Sequence, residues 1–189
     1  NRFKFLEDYQ NIKYAEKFEE LVSYARKIDK NIGNGSQFST AVLKNYFKLM
    51  AYKDEYEVSR LMTNKKFVDD VNKNFEGDFN YNFYLSPPIF SKKSKVDGKL
   101  LKIKFGGWLF NVFKLLSKFK FLRGTKLDPF GYLNERKKER ELIRDYKQTI
   151  TDIGIKINKS NYETAVKIAS VPDQIRGFGH VKEKNIKEA

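Results

Sequence analysis

The spacing of the apolar residues changes along the chain from a helical period to an alternating one and back, and this change constrains the fold most. Up to about residue 76, and again from about residue 108 to residue 189, apolar residues recur every three or four positions, as in helices that bury one face. Between about residues 79 and 105 they alternate with polar residues, as in half-buried strands. The sequence therefore predicts a mostly α-helical α+β fold, in which amphipathic helices pack around a small antiparallel β-hairpin.

Two long helices and a short one are predicted in the first helical part. The first covers about residues 7–29, and a glycine-containing loop follows it. The second runs from about Thr40 to Thr63, with Ser39 as its N-cap. A short helix over about residues 65–75 then leads into the hairpin.

Charged residues crowd the second of these helices between Lys53 and Arg60, at spacings that place them on one helix face. Carboxylates arranged in this way are able to act in acid–base chemistry. Because no nucleophile or metal ligand accompanies them in the sequence, the pattern favours a solvated ladder of ion pairs.

The second helical part begins at Trp108 with the run WLFNVFKLLSKFKFL. Its apolar residues predict one wide face that is buried in the core: Trp108, Leu109, Val112, Phe113, Leu116 and Phe119. The lysines on the opposite side also fit a helix that lies on a membrane surface or binds as a calmodulin-like target. A core helix with its lysines outward gives the same pattern, and this is the favoured interpretation.

The loop between the two predicted strands, at about residues 91–99, is polar and rich in lysine. Loops of this composition are more often solvated than ligand-binding. The candidate contacts for an anion or an acidic partner here are Lys92, Lys93 and Lys95.

A rigid turn precedes the most basic helix of the chain. Asp128 to Gly131 reads DPFG, which predicts a type I turn, and Asn134 is the predicted N-cap of the following helix. Cations in the first turns of a helix are disfavoured by its dipole, so an anion is expected there unless the neighbouring glutamates compensate. The candidate contacts are Arg136, Lys137 and Arg140.

The last segment predicts one more helix, which begins with a capping box at Ser160 and ends at Ser170. Gly177 and Gly179 then flank Phe178, and such a glycine pair allows backbone amides to meet an anion. A tight turn that seats Phe178 in the core is the simpler interpretation, because the full pattern of a dinucleotide loop is missing. The candidate contacts are Arg176, His180 and Lys182.

The composition excludes several kinds of site within the chain. It has no cysteine and one histidine, so disulfides, thiolate zinc sites, Cys-ligated clusters and multi-histidine metal sites are not available. No signal peptide or membrane-length apolar run is recognisable, and we expect a cytoplasmic protein without membrane contact. Because the first residue is Asn1 rather than methionine, we expect a single domain excised from a longer chain.

The net charge of +14 has three interpretations. Lysine greatly outnumbers arginine and the chain is rich in Asn, Ile and Tyr, which is typical of a coding bias spread over the whole surface. A basic surface also attracts an acidic protein or an anionic ligand. Nucleic acid is disfavoured as a partner, because base-reading sites prefer arginine and no known reading motif is present.

Five runs of the sequence resemble one enzyme family, and together they extend over nearly the whole chain from about Ile12 onward. They occur in the order found at the C-terminal end of the fused, single-chain type of indolepyruvate ferredoxin oxidoreductase. The runs are KLMAYKDEYEVSRLM, GDFNYNFYLSPPIF, FGGWLFNVFKLL, LRGTKLDPFGYLNERKKERELI and IRGFGHVKEKNI.

This resemblance implies a parent enzyme that oxidatively decarboxylates aryl 2-oxoacids to acyl-CoA. It implies thiamine diphosphate, iron–sulfur clusters and coenzyme A as cofactors of the parent, and ferredoxin as its electron acceptor. The Gly-Asp-Gly thiamine motif and the cysteine spacings of the family do not occur here, so no catalytic or cofactor residue is carried over. We therefore expect a non-catalytic accessory domain that packs on other domains or subunits of the parent, or that docks the acidic ferredoxin. A stand-alone protein-interaction module is the alternative.

Overall fold

Helices form most of the described chain, and the predicted mostly α-helical α+β fold is confirmed. The structure, a computed structural model, describes residues 1–75, 77, 80–85, 101–177 and 180–188, except for the side chains of residues 180, 183 and 187. The elements in these ranges are α1 (Arg2–Tyr9), α2 (Ile12–Ile32), α3 (Gln37–Met50), α4 (Glu55–Met62), α5 (Lys65–Asn74), β1 (Phe83–Leu85), β2 (Ile103–Phe105), α6 (Leu109–Lys118), α7 (Asn134–Lys156), α8 (Tyr162–Ser170) and α9 (His180–Glu188).

The chain divides into two compact units. The first unit consists of Asn1–Tyr52 together with Phe121–Ala189, and the second consists of Lys53–Lys120. None of the helices in the described part of the chain combines the length and the apolar character that crossing a bilayer requires.

The core of the first unit is aromatic and lies where α3 meets α2, α7 and α8. Phe18 of α2 stacks on Tyr46 of α3, with ring centroids 6.2 Å apart, and Tyr46 stacks in turn on Tyr146 of α7 at 5.9 Å. Ile150 and Ala169 are completely buried beside them. The helical spacing of the sequence therefore identifies this core correctly, because each of these residues lies on the apolar stripe of its own helix.

The predicted helix over residues 7–29 is wrong at its beginning. The helix is interrupted at Gln10 and Asn11, and α2 begins at Ile12. The Asn11 side chain caps α2 by accepting a hydrogen bond from the Tyr14 N–H at 2.9 Å. Asparagine favours such a cap over a position inside a helix. The helix then continues past residue 29 to Ile32, where Gly33 ends it in the left-handed conformation with φ of 70°.

The predicted helix from Thr40 to Thr63 is two helices. Helix α3 ends at Met50, and the Asp54 side chain begins α4 by accepting a hydrogen bond from the Glu57 N–H at 2.9 Å. In the interruption, the Tyr52 carbonyl accepts a hydrogen bond from the buried Tyr9 hydroxyl at 2.7 Å. Ser39 is not an N-cap, since α3 has already begun at Gln37.

Two further predicted caps differ from the structure. Asn134 is the first residue of α7 rather than its cap, a position that Leu133 occupies. The capping box at Ser160 does not form, because the Ser160 hydroxyl donates to the Asn158 side chain instead, and Asn161 stands before α8. At Ser160 the cause is a competing local hydrogen bond, because the Asn158 side chain also accepts from the Ser160 N–H at 2.9 Å.

A buried carboxylate joins three helices of the first unit. Asp29, at the end of α2, accepts hydrogen bonds from the Tyr162 hydroxyl of α8 at 2.7 Å and from the Ser39 N–H of α3 at 2.8 Å. The Tyr162 hydroxyl also accepts a hydrogen bond from the Phe38 N–H at 3.1 Å. We call Asp29, Tyr162 and these two amides the carboxylate junction. It supplies acceptors to first-turn amides of α3, which have none within their own helix.

The second unit contains the predicted hairpin, and its described strands pair antiparallel with Phe83 opposite Phe105. Its small core is formed by Phe83, Leu109 and Phe113, and the rings of Phe83 and Phe113 meet edge to face at 5.2 Å. Helix α6 packs on α4 within this unit. Of the wide apolar face predicted for the helix at Trp108, only Leu109 and Phe113 are buried, so the prediction that the whole face lies in the core is wrong.

We predict that Tyr162→Phe lowers the free energy of unfolding by about 2 kcal/mol, because it leaves a buried carboxylate oxygen and the Phe38 amide without a partner. Urea unfolding of the 189-residue chain measures this change. Tyr132→Phe is the control, since the Tyr132 hydroxyl donates to the Lys126 carbonyl on the surface and its loss is expected to cost less than about 0.5 kcal/mol. Equal effects of the two substitutions would contradict a structural role for the junction.

Candidate functional site

The predicted candidate contacts do not form one site among the described residues. Lys92, Lys93 and Lys95 lie outside the residues that the structure describes, as does the side chain of His180, whose backbone begins α9. The remaining candidates divide between the start of α7 and the region around α9.

At the start of α7, charged and polar side chains make contacts within the first unit. The Lys138 ammonium group lies 2.8 Å from Glu141, and Glu139 accepts two hydrogen bonds from Lys182. The Arg140 guanidinium donates to the Gly131 carbonyl of the preceding turn. Of the glutamates expected to compensate the first turns of α7, Glu141 pairs with Lys138, whereas Glu139 pairs with Lys182 of α9.

Arg140 keeps one hydrogen-bonding group unused. Its Nη1 atom is buried and has no hydrogen-bond partner within the described ranges. Arg136 has contacts within the chain, and the Lys137 side chain is exposed. The three predicted cations of this segment therefore differ in environment, and they do not converge on a common point.

Around α9, the structure brings two candidate cations together with two that the sequence analysis missed. Arg176 donates from Nε to the Asp173 carbonyl at 3.0 Å, and Lys44 of α3 lies 2.9 Å from the Asp173 carboxylate. Lys48, one turn along α3, donates to the Pro172 carbonyl at 2.6 Å. The only sequence signal for this cluster is the spacing of four between Lys44 and Lys48, since nothing in the sequence links α3 to residues 172–182.

The proximity of these cations affects the ionisation of Lys48. Burial lowers the pKa of the Lys48 ammonium group, and the positive charges of Arg176, Lys182 and Lys44 act in the same direction, while Asp173 opposes them. Every one of these cations also has a hydrogen bond within the unit. These bonds fasten α3 to the turn at residues 171–173 and α9 to α7, and they do so without a bound anion.

The stretch before α7 contains a buried arginine that the sequence analysis did not single out. The Arg123 side chain is only 4% exposed, and its guanidinium carbon lies 3.6 Å from the centre of the Tyr9 ring. Its Nη1 donates to the Tyr9 carbonyl, while its own carbonyl accepts a hydrogen bond from the Gln10 side chain at 3.2 Å. Arg123 thus ties the loop after α6 to the end of α1 by stacking and by hydrogen bonds.

Asp128 stabilises the same loop, between α6 and α7, through hydrogen bonds to its backbone. Its buried carboxylate accepts hydrogen bonds from the Gly124 N–H at 2.8 Å and from the Phe130 N–H at 3.1 Å. The predicted turn is present, with the Gly131 N–H donating to the Asp128 carbonyl at 3.2 Å. A side chain at Gly131 would meet the Asp128 carboxylate at 2.7 Å. The run DPFG is therefore a compact turn, and Arg140 donates to its last carbonyl, that of Gly131.

The charged cluster in α4 forms a fixed pair rather than a solvated ladder. Both guanidinium donors of Arg60 lie 2.8 Å from the two carboxylate oxygens of Glu57. The Glu57 side chain is buried, and Asp54 caps the helix. The predicted pairing is confirmed for Glu57 and Arg60, while the prediction that the charges are solvated is wrong for Glu57.

A shallow groove lies between α7 and α8 in the first unit. Its volume is about 210 Å³, and its apolar lining includes Ile153, Ile157, Ala165 and Ile168. Pockets for drug-sized ligands are larger, from roughly 300 Å³ upward. Within the described ranges, no group of three His, Cys, Asp or Glu side chains is placed to hold a metal ion.

Comparison with protein-family models matches the whole chain, residues 1–189, to the family described as "Family of unknown function (DUF6537)". The match includes both compact units. Comparisons with curated proteins and with solved structures gave no match.

We predict that Arg123→Lys lowers the free energy of unfolding by about 2 kcal/mol, because lysine has neither the flat face that stacks on Tyr9 nor the forked donors. Chemical denaturation of the chain measures the change. Arg144→Lys is the matched control: Arg144 is on the surface beside Asp145, and we expect less than about 0.5 kcal/mol there. An Arg123→Lys chain as stable as the control would contradict the structural role.

Proposed function

The chain belongs to the family of unknown function DUF6537 over its whole length, and we propose that it is a non-catalytic accessory domain of a larger oxidoreductase. The parent that we propose is an indolepyruvate ferredoxin oxidoreductase-like enzyme of the cytoplasm. This assignment rests on the five runs of sequence that resemble the C-terminal end of that enzyme family. Its partners are then the other domains or subunits of the parent, which would carry the thiamine diphosphate, the iron–sulfur clusters and the coenzyme A site.

One observation carries the proposed role of a scaffold. Several polar residues of the runs that resemble the family make their hydrogen bonds inside the units themselves. In the longest run, Arg123 and Asp128 are buried and hold the loop before α7. In the first run, Asp54 caps α4 and Glu57 pairs with Arg60. Residues that were placed to meet a substrate would leave their hydrogen-bonding groups directed toward it.

These contacts also join segments that are far apart in the chain. Arg123 contacts Tyr9 across 114 residues, and Lys182 contacts Glu139 across 43 residues at 2.6 Å. Side chains fixed by such contacts give a surface of constant shape, which is what a permanent contact with another domain or subunit requires. A scaffold role explains why these polar residues contact each other inside the domain.

Ferredoxin docking is the second candidate, and one feature of the sequence favours it. Residues 98–127 contain eight lysine or arginine residues and no aspartate or glutamate. In the described part of this segment, Lys102, Lys104, Lys114 and Lys118 have exposed side chains. A surface of one sign accelerates the approach of an oppositely charged partner, most strongly at low ionic strength, and the resemblance implies an acidic ferredoxin as that partner.

The test compares the parent enzyme with a version truncated before residue 1 of this chain. Decarboxylation of the 2-oxoacid and reduction of ferredoxin are assayed separately, together with cofactor content and subunit assembly. For a scaffold, we expect both activities to fall along with cofactor content or assembly, because the active site then loses its support.

Two other results are informative. If decarboxylation survives and only ferredoxin reduction fails, the domain docks the electron acceptor, and charge reversal at Lys102 and Lys104 is then expected to weaken turnover at low salt. If both activities, the cofactor content and the assembly are all unchanged by the truncation, neither role is correct.

A further inference from the structure

Helix α6 has a second apolar face, which is exposed. Its first apolar face, with Leu109 and Phe113, is buried in the core of the second unit. The second face consists of four large residues at intervals of four, three and four, which we call the α6 stripe. Its members and their exposed fractions are Trp108 at 60%, Val112 at 43%, Leu115 at 58% and Phe119 at 39%.

The geometry of a helix aligns these four residues. At 100° per residue they lie within an arc of about 60°, and they extend over about 16 Å along the axis. Leu109 points about 100° away from Trp108 on the same helix, so the buried and the exposed faces are separate. Monomeric proteins seldom expose a contiguous apolar row of this kind unless it meets a partner.

The charged residues of α6 itself have one sign. Lys118 is exposed and lies about 60° around the helix from Leu115, so it borders the stripe. Lys114 is exposed on the far side of α6, about 120° from Trp108, and its ammonium group lies 5.7 Å from the centre of the Phe110 ring. Helix α6 contains no aspartate or glutamate, and none occurs anywhere in residues 98–127. A partner that covers the stripe therefore meets the positive charge of Lys118 at its border, and a carboxylate on the partner would neutralise it.

We propose that the α6 stripe docks an acidic amphipathic helix of a protein partner, whose apolar row packs on the stripe and whose Asp or Glu residues face Lys118 at its border. A narrow, straight row of large side chains fits the ridges of one helix. The inference goes beyond the proposed function, because it depends on the second unit alone and holds whether or not the parent is the oxidoreductase named above.

Two other occupants fit less well. A second copy of the chain would bring two lysine borders together, and like charges at an interface are unfavourable. An anionic membrane surface suits helices with a broad apolar face that enters the interface, whereas the exposed row here is narrow and the adjacent apolar face already lies in the core of the unit.

Trp108 makes the proposal directly testable, because it is the only tryptophan in the chain and belongs to the stripe. Its fluorescence reports whether the stripe becomes covered. The probe is a synthetic helical peptide of about 20 residues with leucines in one row and glutamates along both borders. The matched control peptide has lysine in place of every glutamate. We expect a saturable blue shift with the glutamate peptide, weakened by salt, and none with the lysine peptide.

Variants of the full chain locate the site. Leu115→Ser removes a side chain of the stripe and is expected to weaken peptide binding about tenfold, while unfolding by urea is unchanged because Leu115 is exposed. Leu127→Ser is the control, since Leu127 is equally apolar and 76% exposed but lies outside the stripe. Lys118→Glu is expected to weaken the glutamate peptide and to allow binding of the lysine peptide.

Three results would overturn the proposal. The first is the same response, or no response, to the two peptides. The second is a blue shift with vesicles of anionic phospholipid but none with the glutamate peptide, which would assign the stripe to a lipid surface. The third is a blue shift of the chain alone that increases with its own concentration, which would assign the stripe to a second copy.

Discussion

The carboxylate of Asp29 is the interaction on which the arrangement of helices in the first unit depends. It is buried at the end of α2 and accepts hydrogen bonds from the Tyr162 hydroxyl of α8 and from the Ser39 amide of α3. A buried carboxylate is tolerated only when it is hydrogen-bonded, so α3 and α8 must both be in place before the charge is accommodated. Burial, together with the hydrogen bond to Asp29, raises the pKa of the Tyr162 hydroxyl, so this donor stays protonated to a higher pH than an exposed tyrosine does.

The same use of polar residues extends through the first unit. Arg123 stacks on Tyr9, Asp128 closes the turn before α7, and Glu139 pairs with Lys182. Lys182, a candidate for binding an anion, is therefore engaged in holding the fold. In the second unit, by contrast, α6 exposes large apolar residues beside lysines. The two units thus suggest different roles, a rigid support in one case and a docking face in the other.

The sequence predicts this fold where local pattern and tertiary contact agree. The change in the spacing of apolar residues from helical to alternating locates the hairpin. The apolar residues that recur every three or four positions in α7, Tyr146 and Ile150 among them, locate its core face. The interruption between α3 and α4 is missed because no glycine or proline marks it. The Tyr52 carbonyl in this interruption accepts its hydrogen bond from the Tyr9 hydroxyl, 43 residues away in the sequence. Burial of Arg123 also depends on Tyr9, which no local spacing reveals. The spacing of apolar residues in α6 likewise does not reveal which of them are buried in the core of the second unit.

Hydrogen exchange at the start of α3 tests the central claim, that the carboxylate junction fixes the first unit. Phe38 is the second residue of α3, and second-residue amides have no acceptor within their own helix; the Glu135 amide at the same position of α7 is the internal control. We expect the Phe38 and Ser39 amides, which donate to Tyr162 and Asp29, to exchange as slowly as the buried middle of α2. Exchange as fast as that of Glu135 would contradict the account.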